Sequence, residues 1–309
     1  MTAGNRVLVT GAGGNLGGHV ARLLAADGYQ VYATSRKEPS SGVQDPDLHW
    51  VTCDLSVPNE VRAAVKSSQP SLVMHAVGLA GDADLKALVE ANVISTANLF
   101  EALDGWHLDR LLVVGSGAEY GASDKRELTR EDHPLAPASR YGLSKLFQYE
   151  LSHMALKAGV PIVYARPFNL IGPGVSCATA VGDISKRLAE AMQGGDTATL
   201  EVGDLDRWRD YLDVRDAAAA CRILLERAQV GGVYNVCSGV PVLLADVVDT
   251  LLSFAGREIR LHRVEGKPSM KFQVGDPSKL RALGWSATYD LKTSLQNGLH
   301  GYLGQHAPE

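Results

Sequence analysis

The sequence has no long apolar run, little cysteine and no excess of basic residues, and each absence excludes a class of protein. No apolar run approaches the roughly 20 residues of a membrane span, and the short run at 7–9 leads into glycines rather than a signal-peptide core. The 4 cysteines form no metal-ligand spacing and no small disulfide framework, which favours reduced thiols. A net charge of −5 gives no basic footprint for nucleic acid. We expect a soluble, cytoplasmic protein without membrane, nucleic-acid or metal partners.

Short β-branched runs alternate with longer amphipathic runs through the first half of the chain. The predicted strands are 6–10, 30–34, 49–52, 72–75, 110–115 and 162–166, and the predicted helices are 16–26, 58–67, 85–103 and 141–158. This alternation predicts an α/β fold, a Rossmann-type doubly wound parallel sheet with helices on both faces. Ligands of such sheets bind at the carboxyl ends of the strands.

A glycine cluster follows the first predicted strand and opens the first predicted helix. Gly11, Gly14 and Gly17 are spaced as GxxGxxG, with Asn15 and Leu16 between the last two. Glycine lets the backbone turn sharply and approach a pyrophosphate, to which the helix amino end offers free N–H groups. The strand–turn–helix context predicts a dinucleotide site rather than an ordinary turn.

The second predicted strand is not followed by the acid that would bind the ribose hydroxyls of NAD. Ser35 and Arg36 stand there instead, followed by Lys37. A 2′-phosphate needs positive charge and donors, so the sequence favours NADP(H), with NAD(H) as the alternative; the two cations could also be solvated loop charges. Asp54, after the third strand, could hold the adenine amino group or be a plain loop carboxylate.

The pattern loosens after Pro167 into loops rich in glycine and proline, with helices predicted near 182–193, 214–228 and 245–255. We interpret 1–167, with parts of 203–235, as an NADP-binding Rossmann domain. Residues 168–309 are interpreted mainly as a smaller, interleaved substrate-binding lobe.

Further motifs are spread over nearly the whole chain. They are Leu72-Val-Met-His-Ala76, Asn92, VGSGAEYG at 114–121, YGLSK at 141–145, RPFNLIGPG at 166–174, WRDYLDVRD at 208–216 and VYNVCSG at 233–239. With the glycine cluster, these motifs resemble those of extended short-chain dehydrogenases/reductases of the NAD(P)-dependent epimerase/dehydratase family, which act on nucleotide sugars. The blocks at 172–174, 209–216 and 234–239 look most like those of GDP-6-deoxy-4-keto-mannose reductases, which form GDP-rhamnose.

The resemblance implies a catalytic set of Ser116, Tyr141 and Lys145. Tyr141 and Lys145 are four residues apart and therefore share a helix face. The Lys145 ammonium and the positive nicotinamide of an oxidised cofactor both favour the phenolate, so we expect the pKa of Tyr141 to fall from about 10. Ser116 should hydrogen-bond the reacting oxygen, and Lys145 should also bind the nicotinamide ribose.

The resemblance also implies contacts to cofactor and substrate. Further cofactor contacts are expected from Leu55, His75, Ala76, Val77, Asn92 and Pro167. Asn169 and Arg209 should touch the substrate diphosphate, since an arginine fork meets phosphate bidentately. Lys186 and Lys267 are candidates for the nucleotide, although surface solvation explains each equally well. Cys177, in a substrate-side loop, is expected to be an inert buried thiol.

The residues that follow Ser116 narrow the reaction. Dehydratases of the family carry an acid just after the catalytic serine or threonine, and dual epimerase–reductases carry a cysteine at the position of Ala118. Gly117 and Ala118 supply neither group. What remains is NAD(P)H-dependent reduction of the C4 ketone of a nucleotide-linked 4-keto-6-deoxyhexose, or 4-epimerisation with bound NAD. The missing acid after the second strand favours the reductase, because it fits an enzyme that exchanges NADPH at each turnover.

The sequence leaves the sugar and the oligomer open. Mannose reductases often carry glutamate at the position of Ala118, and the loop at 77–84 is short, so GDP- and dTDP-sugars of deoxysugar biosynthesis both fit. Family members often form homodimers through a four-helix bundle, here from 85–103 and 141–158. A non-catalytic NADP-binding regulator is an alternative of another class, although such proteins usually lose the tyrosine or the lysine.

Overall fold

The computed structural model describes residues 6–37, 47–121, 123, 125–194, 198–264 and 271–304. Strands and helices alternate through the first half of the chain as predicted. They are β1 (Arg6–Thr10), α1 (Asn15–Ala26), β2 (Gln30–Ser35), β3 (Leu48–Thr52), α2 (Pro58–Ser68), β4 (Leu72–His75), α3 (Leu85–Val89), α4 (Ser95–Ala102), β5 (Arg110–Val114), α5 (Arg140–Lys157) and β6 (Ile162–Pro167).

Shorter elements dominate the rest of the chain. They are β7 (Asn169–Ile171), α6 (Ala180–Gln193), β8 (Ala198–Val202), β9 (Trp208–Asp213), α7 (Val214–Arg227), β10 (Val233–Val236), β11 (Pro241–Leu243), α8 (Leu244–Ser253), β12 (Ile259–Arg263), β13 (Phe272–Gln273), α9 (Ser278–Arg281) and α10 (Leu291–Tyr302). The strands β7 to β13 and the helices α9 and α10 were not predicted; the strands are short, and short strands carry little periodic signal.

The large sheet has seven parallel strands in the order β3-β2-β1-β4-β5-β6-β10. Strands β4 and β6 are buried along their whole length, as expected for a parallel sheet covered on both faces. Val7 and Val9 of β1 pack in the core beneath α1 and α7, whereas Leu8 packs in the core beneath α2 and α4. The predicted Rossmann-type doubly wound sheet is therefore confirmed.

The remaining strands form two small sheets. One has the order β11-β9-β13, with β7 also paired to β9, and the other joins β8 to β12. A separate apolar cluster fills the space between helices α6, α8 and α10. None of the helices in the described ranges is long and apolar enough to cross a membrane.

The predicted helix at 85–103 is interrupted. A π-helical turn, Glu90–Ile94, separates α3 from α4. Such π-bulges occur frequently at functional sites. The turn includes Asn92, whose side chain is fully buried and donates to Leu79 O at 3.1 Å and to Ser144 Oγ at 2.8 Å.

Candidate active site

The glycine cluster forms a tight cradle between β1 and α1. Gly11 has a φ of +78°, and a Cβ at this position would lie 2.9 Å from the Ala76 carbonyl. A Cβ at Gly17 would lie 2.3 Å from Gly11 O, so α1 approaches the loop closely. Gly14 is the N-cap of α1 and has no side chain to occupy the helix amino end. These features fit a dinucleotide pyrophosphate, which needs close backbone approach and free N–H groups.

The end of β2 brings Ser35, one of the two predicted 2′-phosphate residues, beside this cradle. Ser35 Oγ faces Gly13, where a Cβ would lie only 3.1 Å from it. Arg36 is exposed. Asp54 Oδ1 accepts from Ser56 N at 2.9 Å and from Ser56 Oγ at 2.8 Å; these bonds, with a smaller effect of Arg36, lower the pKa of Asp54.

The cofactor contacts predicted at the end of β4 are held in two ways, Ala76 through its main chain and His75 through its side chain. The Ala76 N–H donates to Thr10 O at 3.1 Å, which holds Ala76 and Val77 against Gly11. The His75 ring is fully buried, with Thr10 Oγ1 at 2.8 Å and Thr96 Oγ1 at 2.9 Å from its two nitrogens. Both ring nitrogens of His75 therefore have partners inside the protein, so a contact of this residue with the cofactor would have to come from its main chain at the strand end.

The other predicted cofactor contacts lie in the core and at the loop ends. Leu55 and Pro167 are buried, and the Leu55 carbonyl accepts from Asn98 at 2.8 Å. Asn15 lies against the loop that follows β7, since a Cβ at Gly174 would be 2.9 Å from its side-chain oxygen. This contact brings the glycine cradle and the 172–174 motif together.

Ser116 and Tyr141 meet where β5 and α5 approach each other. Ser116 caps a short 3-10 turn, Gly117–Glu119, and its Oγ accepts from Ala118 N at 3.1 Å. Helix α5 begins one residue before Tyr141, capped by Ser139 Oγ, which accepts from Gly142 N at 3.0 Å. A Cβ at Gly142 would lie 2.5 Å from Ala118 O, so this glycine lets the helix pack directly on the serine turn.

In the protein without cofactor the pKa of Tyr141 is raised, so the fall expected beside Lys145 and the oxidised nicotinamide stays a prediction. Burial raises the pKa of Tyr141, and a hydrogen bond to Ser116 only partly opposes the rise. The Lys145 ammonium is directed elsewhere, to Val114 O at 2.8 Å and Gln148 Oε1 at 2.6 Å. Burial also lowers the pKa of Lys145 to about 8, against the effect of Glu119.

A buried ion pair beneath Ser116 was not predicted. Glu119 Oε1 accepts from Ser116 N at 2.8 Å and from the Tyr164 hydroxyl at 3.0 Å, while its other oxygen lies 2.7 Å from Arg166 Nε. Burial raises the pKa of Glu119, and Arg166 opposes that rise. The spacing Ser116-x-x-Glu119 is a capping-box pattern, the one sequence signal that pointed to this role.

Aromatic rings enclose the cation of this pair. The Arg166 guanidinium carbon lies 4.7 Å from the Tyr120 ring centroid and 4.5 Å from that of Tyr149. Stacking of this kind suits the planar, weakly hydrated guanidinium. The main-chain N–H of Ser116 is therefore held by a carboxylate that is buried and whose charge is compensated by Arg166.

The predicted diphosphate residues lie on adjacent strands. Parallel pairing of β7 with β9 sets Asn169 beside Tyr211, and Asn169 Nδ2 donates to Asp210 O at 2.9 Å. Arg209 is half-buried, which lowers its pKa, and donates to Trp208 O at 2.8 Å.

The weaker substrate candidates fare differently. Lys186 is half-exposed, with Nζ 3.8 Å from a Glu190 carboxylate oxygen one turn along α6. This arrangement is typical of a solvated surface pair, and a nucleotide contact stays a prediction. Lys267 lies outside the described residues. Cys177 is exposed, so the expectation of a buried thiol is wrong.

Comparison with known proteins places this arrangement in a family. The model of the NAD dependent epimerase/dehydratase family matches residues 7–237. The chain belongs to this family. The predicted resemblance and the prediction of an NAD(P)-dependent enzyme are therefore confirmed.

Individual relatives cover nearly the whole chain. A GDP-6-deoxy-D-mannose reductase of Pseudomonas aeruginosa is 29% identical over 306 residues, which are 94% of this chain and 95% of the relative. The structure of Thermus thermophilus UDP-glucose 4-epimerase with NAD is 26% identical, with a TM-score of 0.86 over 97% of this chain and 99% of that one. The structure of RMD from Pseudomonas aeruginosa with NADPH is 27% identical, with a TM-score of 0.82 over 97% and 99%.

Proposed function

We propose that the protein reduces the C4 ketone of a nucleotide-linked 4-keto-6-deoxyhexose with NAD(P)H. The observation that carries the proposal is the state of the acid nearest to Ser116 in sequence. Glu119 is fully buried and paired with Arg166, so it is held below the serine rather than facing a substrate. Gly117 and Ala118 add no titratable group. Among the residues that the structure describes, the site therefore has a hydroxyl acid but no carboxylate beside Ser116 that could serve elimination.

The residues present fit the reductive direction. When bound, the reduced cofactor supplies hydride to C4. Ser116 would donate a hydrogen bond to the C4 oxygen, and Tyr141 would give that oxygen its proton. The raised pKa of Tyr141 keeps it protonated, as a general acid must be before the reaction. Lys145 would stand beside the nicotinamide ribose.

NADPH is the favoured cofactor within this proposal. The Ser35 hydroxyl lies next to the glycine cradle and the following residue, Arg36, is exposed. A serine and an arginine at the end of the second strand suit a 2′-phosphate better than the acid that binds the ribose of NAD. Residues 1–167, with parts of 203–235, would bind it, and 168–309 would mainly bind the sugar nucleotide. Asn169, beside β9, and Arg209 would hold the diphosphate of a GDP- or dTDP-sugar. Free thiols at all four cysteines agree with a cytoplasmic enzyme.

The first experiment follows NADPH absorbance with GDP- and dTDP-linked 4-keto-6-deoxyhexoses. The expected result is stoichiometric oxidation of NADPH and appearance of the C4 alcohol, faster than with NADH. A 4-epimerase with bound NAD is the second candidate, supported by the similarity to the NAD-containing 4-epimerase structure. Interconversion of 4-epimers without added cofactor, and without NADPH oxidation, would establish that candidate instead.

Tyr141→Phe tests the proton donor and the non-catalytic alternative together. Removing a general acid should lower kcat by about 10²–10⁴-fold, while NADPH binding, measured by fluorescence, should change little. Equal turnover in the variant and the wild type would exclude Tyr141 as the donor. NADPH binding without turnover of any 4-keto sugar by the wild type would favour a regulator.

A homodimer through α3, α4 and α5 belongs to the same proposal. Phe147 and Met154 are seven residues apart on α5 and are 43% and 67% exposed, and Ile94 beside α4 is 44% exposed. Large apolar side chains on neighbouring helices are typical of a self-association surface. Phe147→Glu should convert the dimer to a monomer in sedimentation. Val230→Glu, which changes an equally exposed valine outside these helices, should not.

A further inference from the structure

A string of buried polar side chains lies beneath Lys145 and takes no part in the chemistry proposed above. Gln148 follows Lys145 by three residues on α5, so the two side chains share a helix face. Thr96 on α4, His75 at the end of β4 and Thr10 at the end of β1 continue the string. The four side chains, Gln148, Thr96, His75 and Thr10, are each at most 1% exposed. Buried polar groups need defined hydrogen-bond partners.

The tautomer of His75 with its proton on Nε2 satisfies these contacts together. Thr96 has one hydroxyl proton, which it donates to the Asn92 carbonyl at 2.8 Å. Its oxygen must then accept from Gln148 Nε2 and from His75 Nε2, each at 2.9 Å. In this tautomer His75 Nδ1 accepts from the Thr10 hydroxyl at 2.8 Å, while Met74 O lies further from that hydroxyl, at 3.3 Å. Burial lowers the pKa of His75 to about 3, which agrees with this neutral ring.

This assignment fixes the orientation of the Gln148 amide. Because its nitrogen donates to Thr96, its oxygen faces Lys145 Nζ at 2.6 Å. A flipped amide would bring its own N–H groups against the ammonium and its oxygen against a hydroxyl whose proton is already used. Lys145 also donates to Val114 O at 2.8 Å, so the protein holds two of its three N–H groups.

We infer that Gln148 is a positioning residue of the acid–base site, which holds the Lys145 ammonium and is itself oriented by His75 through Thr96. The inference rests on the proposed function for the role of Lys145 in catalysis. Gln148 acts without a formal charge. Its oxygen stabilises the ammonium, but it adds no negative charge that would oppose ionisation of Tyr141 during the reaction.

The titration of Lys145 should report on this contact. The titratable groups on the elements packed around Lys145 are Glu119, His75, Tyr141 and Tyr164. Glu119 favours the ammonium, whereas burial disfavours it. Removing the Gln148 oxygen removes another group that favours the ammonium, so Lys145 should lose its proton at lower pH.

The experiment follows Lys145 by NMR in protein labelled with ¹³C at lysine Cε, with the signal assigned through Lys145→Met. Gln148→Met keeps the side-chain length and should titrate about one to two pH units lower than the wild type. Gln148→Glu puts a carboxylate at the same place and should titrate higher. Thr96→Val frees the amide to rotate and should give a smaller fall than Gln148→Met.

Ser152→Ala is the matched control. Ser152 is buried one turn further along α5 and donates to the Gln148 carbonyl at 2.7 Å. Its loss should leave the Lys145 titration unchanged. An unshifted Lys145 in Gln148→Met, or an equal shift in Ser152→Ala, would overturn the inference. If Gln148→Met does not fold, a rise in Gln148→Glu supports the inference and an unchanged titration there rejects it.

A second measurement separates this inference from the proposed function. NADPH affinity, measured by fluorescence, should fall about tenfold in Gln148→Met because the ammonium is no longer held. Neither measurement uses a sugar. If both change as expected while no 4-keto sugar is reduced, the proposed reaction is wrong and the role of Gln148 stands. Reduction of a sugar together with an unshifted Lys145 would support the proposed reaction and reject the role of Gln148.

Discussion

Two fully buried carboxylates, Glu119 beside the acid–base site and Asp210 in β9, are stabilised in different ways. Glu119 lies 2.7 Å from the guanidinium of Arg166. Asp210 accepts from uncharged donors, namely Ser238 N and Oγ, Gly239 N and Gly275 N, at 2.7 to 3.3 Å. One acid is compensated by a charge and the other by a ring of dipoles.

Because of this difference, the stability of the Glu119 charge depends on one cation, whereas that of the Asp210 charge is shared among several uncharged donors. Removing one member of a buried ion pair leaves an uncompensated charge, which is severely destabilising. Burial raises the pKa of both acids, and that of Asp210 rises to about 6 in spite of its four donors. Glu119 should therefore be the acid that depends on a single charged partner, whereas Asp210 has several uncharged donors and a pKa near 6 at which its ionisation can be followed.

Arg166→Met should reduce the free energy of unfolding more than the other variants that test this comparison. It leaves Glu119 buried without its cation, and the free energy of unfolding should fall by about 3–5 kcal/mol in urea titrations. The double variant Glu119→Gln with Arg166→Met removes both charges but keeps an oxygen for Ser116 N. It should recover more than half of the loss. If the double variant is no more stable than Arg166→Met, charge compensation does not explain the pair.

The sequence predicted the parts of the site that follow local rules. The glycine cradle, the four-residue spacing of Tyr141 and Lys145 and the position of Ser116 at a strand end all follow from strand–helix alternation and family motifs. The parallel sheet was predicted for the same reason, with six of its seven strands placed within one residue. The seventh, β10, was not assigned as a strand in advance.

The supports beneath the site could not be predicted because they join residues distant in sequence. Glu119 and Arg166 are 47 residues apart, and Gln148 and Thr96 are 52 apart. No periodicity connects such partners, since only the fold brings them together. The same holds for the raised pKa of Tyr141 in the protein without cofactor, which comes from the burial that the fold imposes.

The pH dependence of Asp210 is the second test of the comparison. Its pKa is about 6 in the folded protein against an ordinary value of 3.8, so the folded state binds the proton more tightly. This contribution to stability is complete below the unfolded pKa and is lost as pH rises through about 6. The decrease should be on the order of 3 kcal/mol at most.

Asp210→Asn isolates that contribution, because asparagine does not titrate. Urea titrations from pH 4 to pH 7.5 should show a decline in the wild type that is flatter in the variant. ¹³C NMR of the Asp210 carboxyl should give its midpoint directly. Equal slopes in the two proteins would contradict the assignment of the raised pKa to Asp210.

Ser139→Ala should have the smallest effect and supplies an exposed reference for both buried acids. Ser139 Oγ accepts from Gly142 N at 3.0 Å at the start of α5, where water can replace it. Loss of such a cap typically costs about 1 kcal/mol, and Ser139→Asp, which keeps an acceptor, should cost less. Because burial, rather than the number of bonds to main-chain N–H groups, makes Glu119 indispensable, Ser139→Ala should unfold at much higher urea than Arg166→Met. If Ser139→Ala and Arg166→Met lost equal free energy of unfolding, burial of the unpaired charge would not explain why Arg166 matters more than an exposed helix cap.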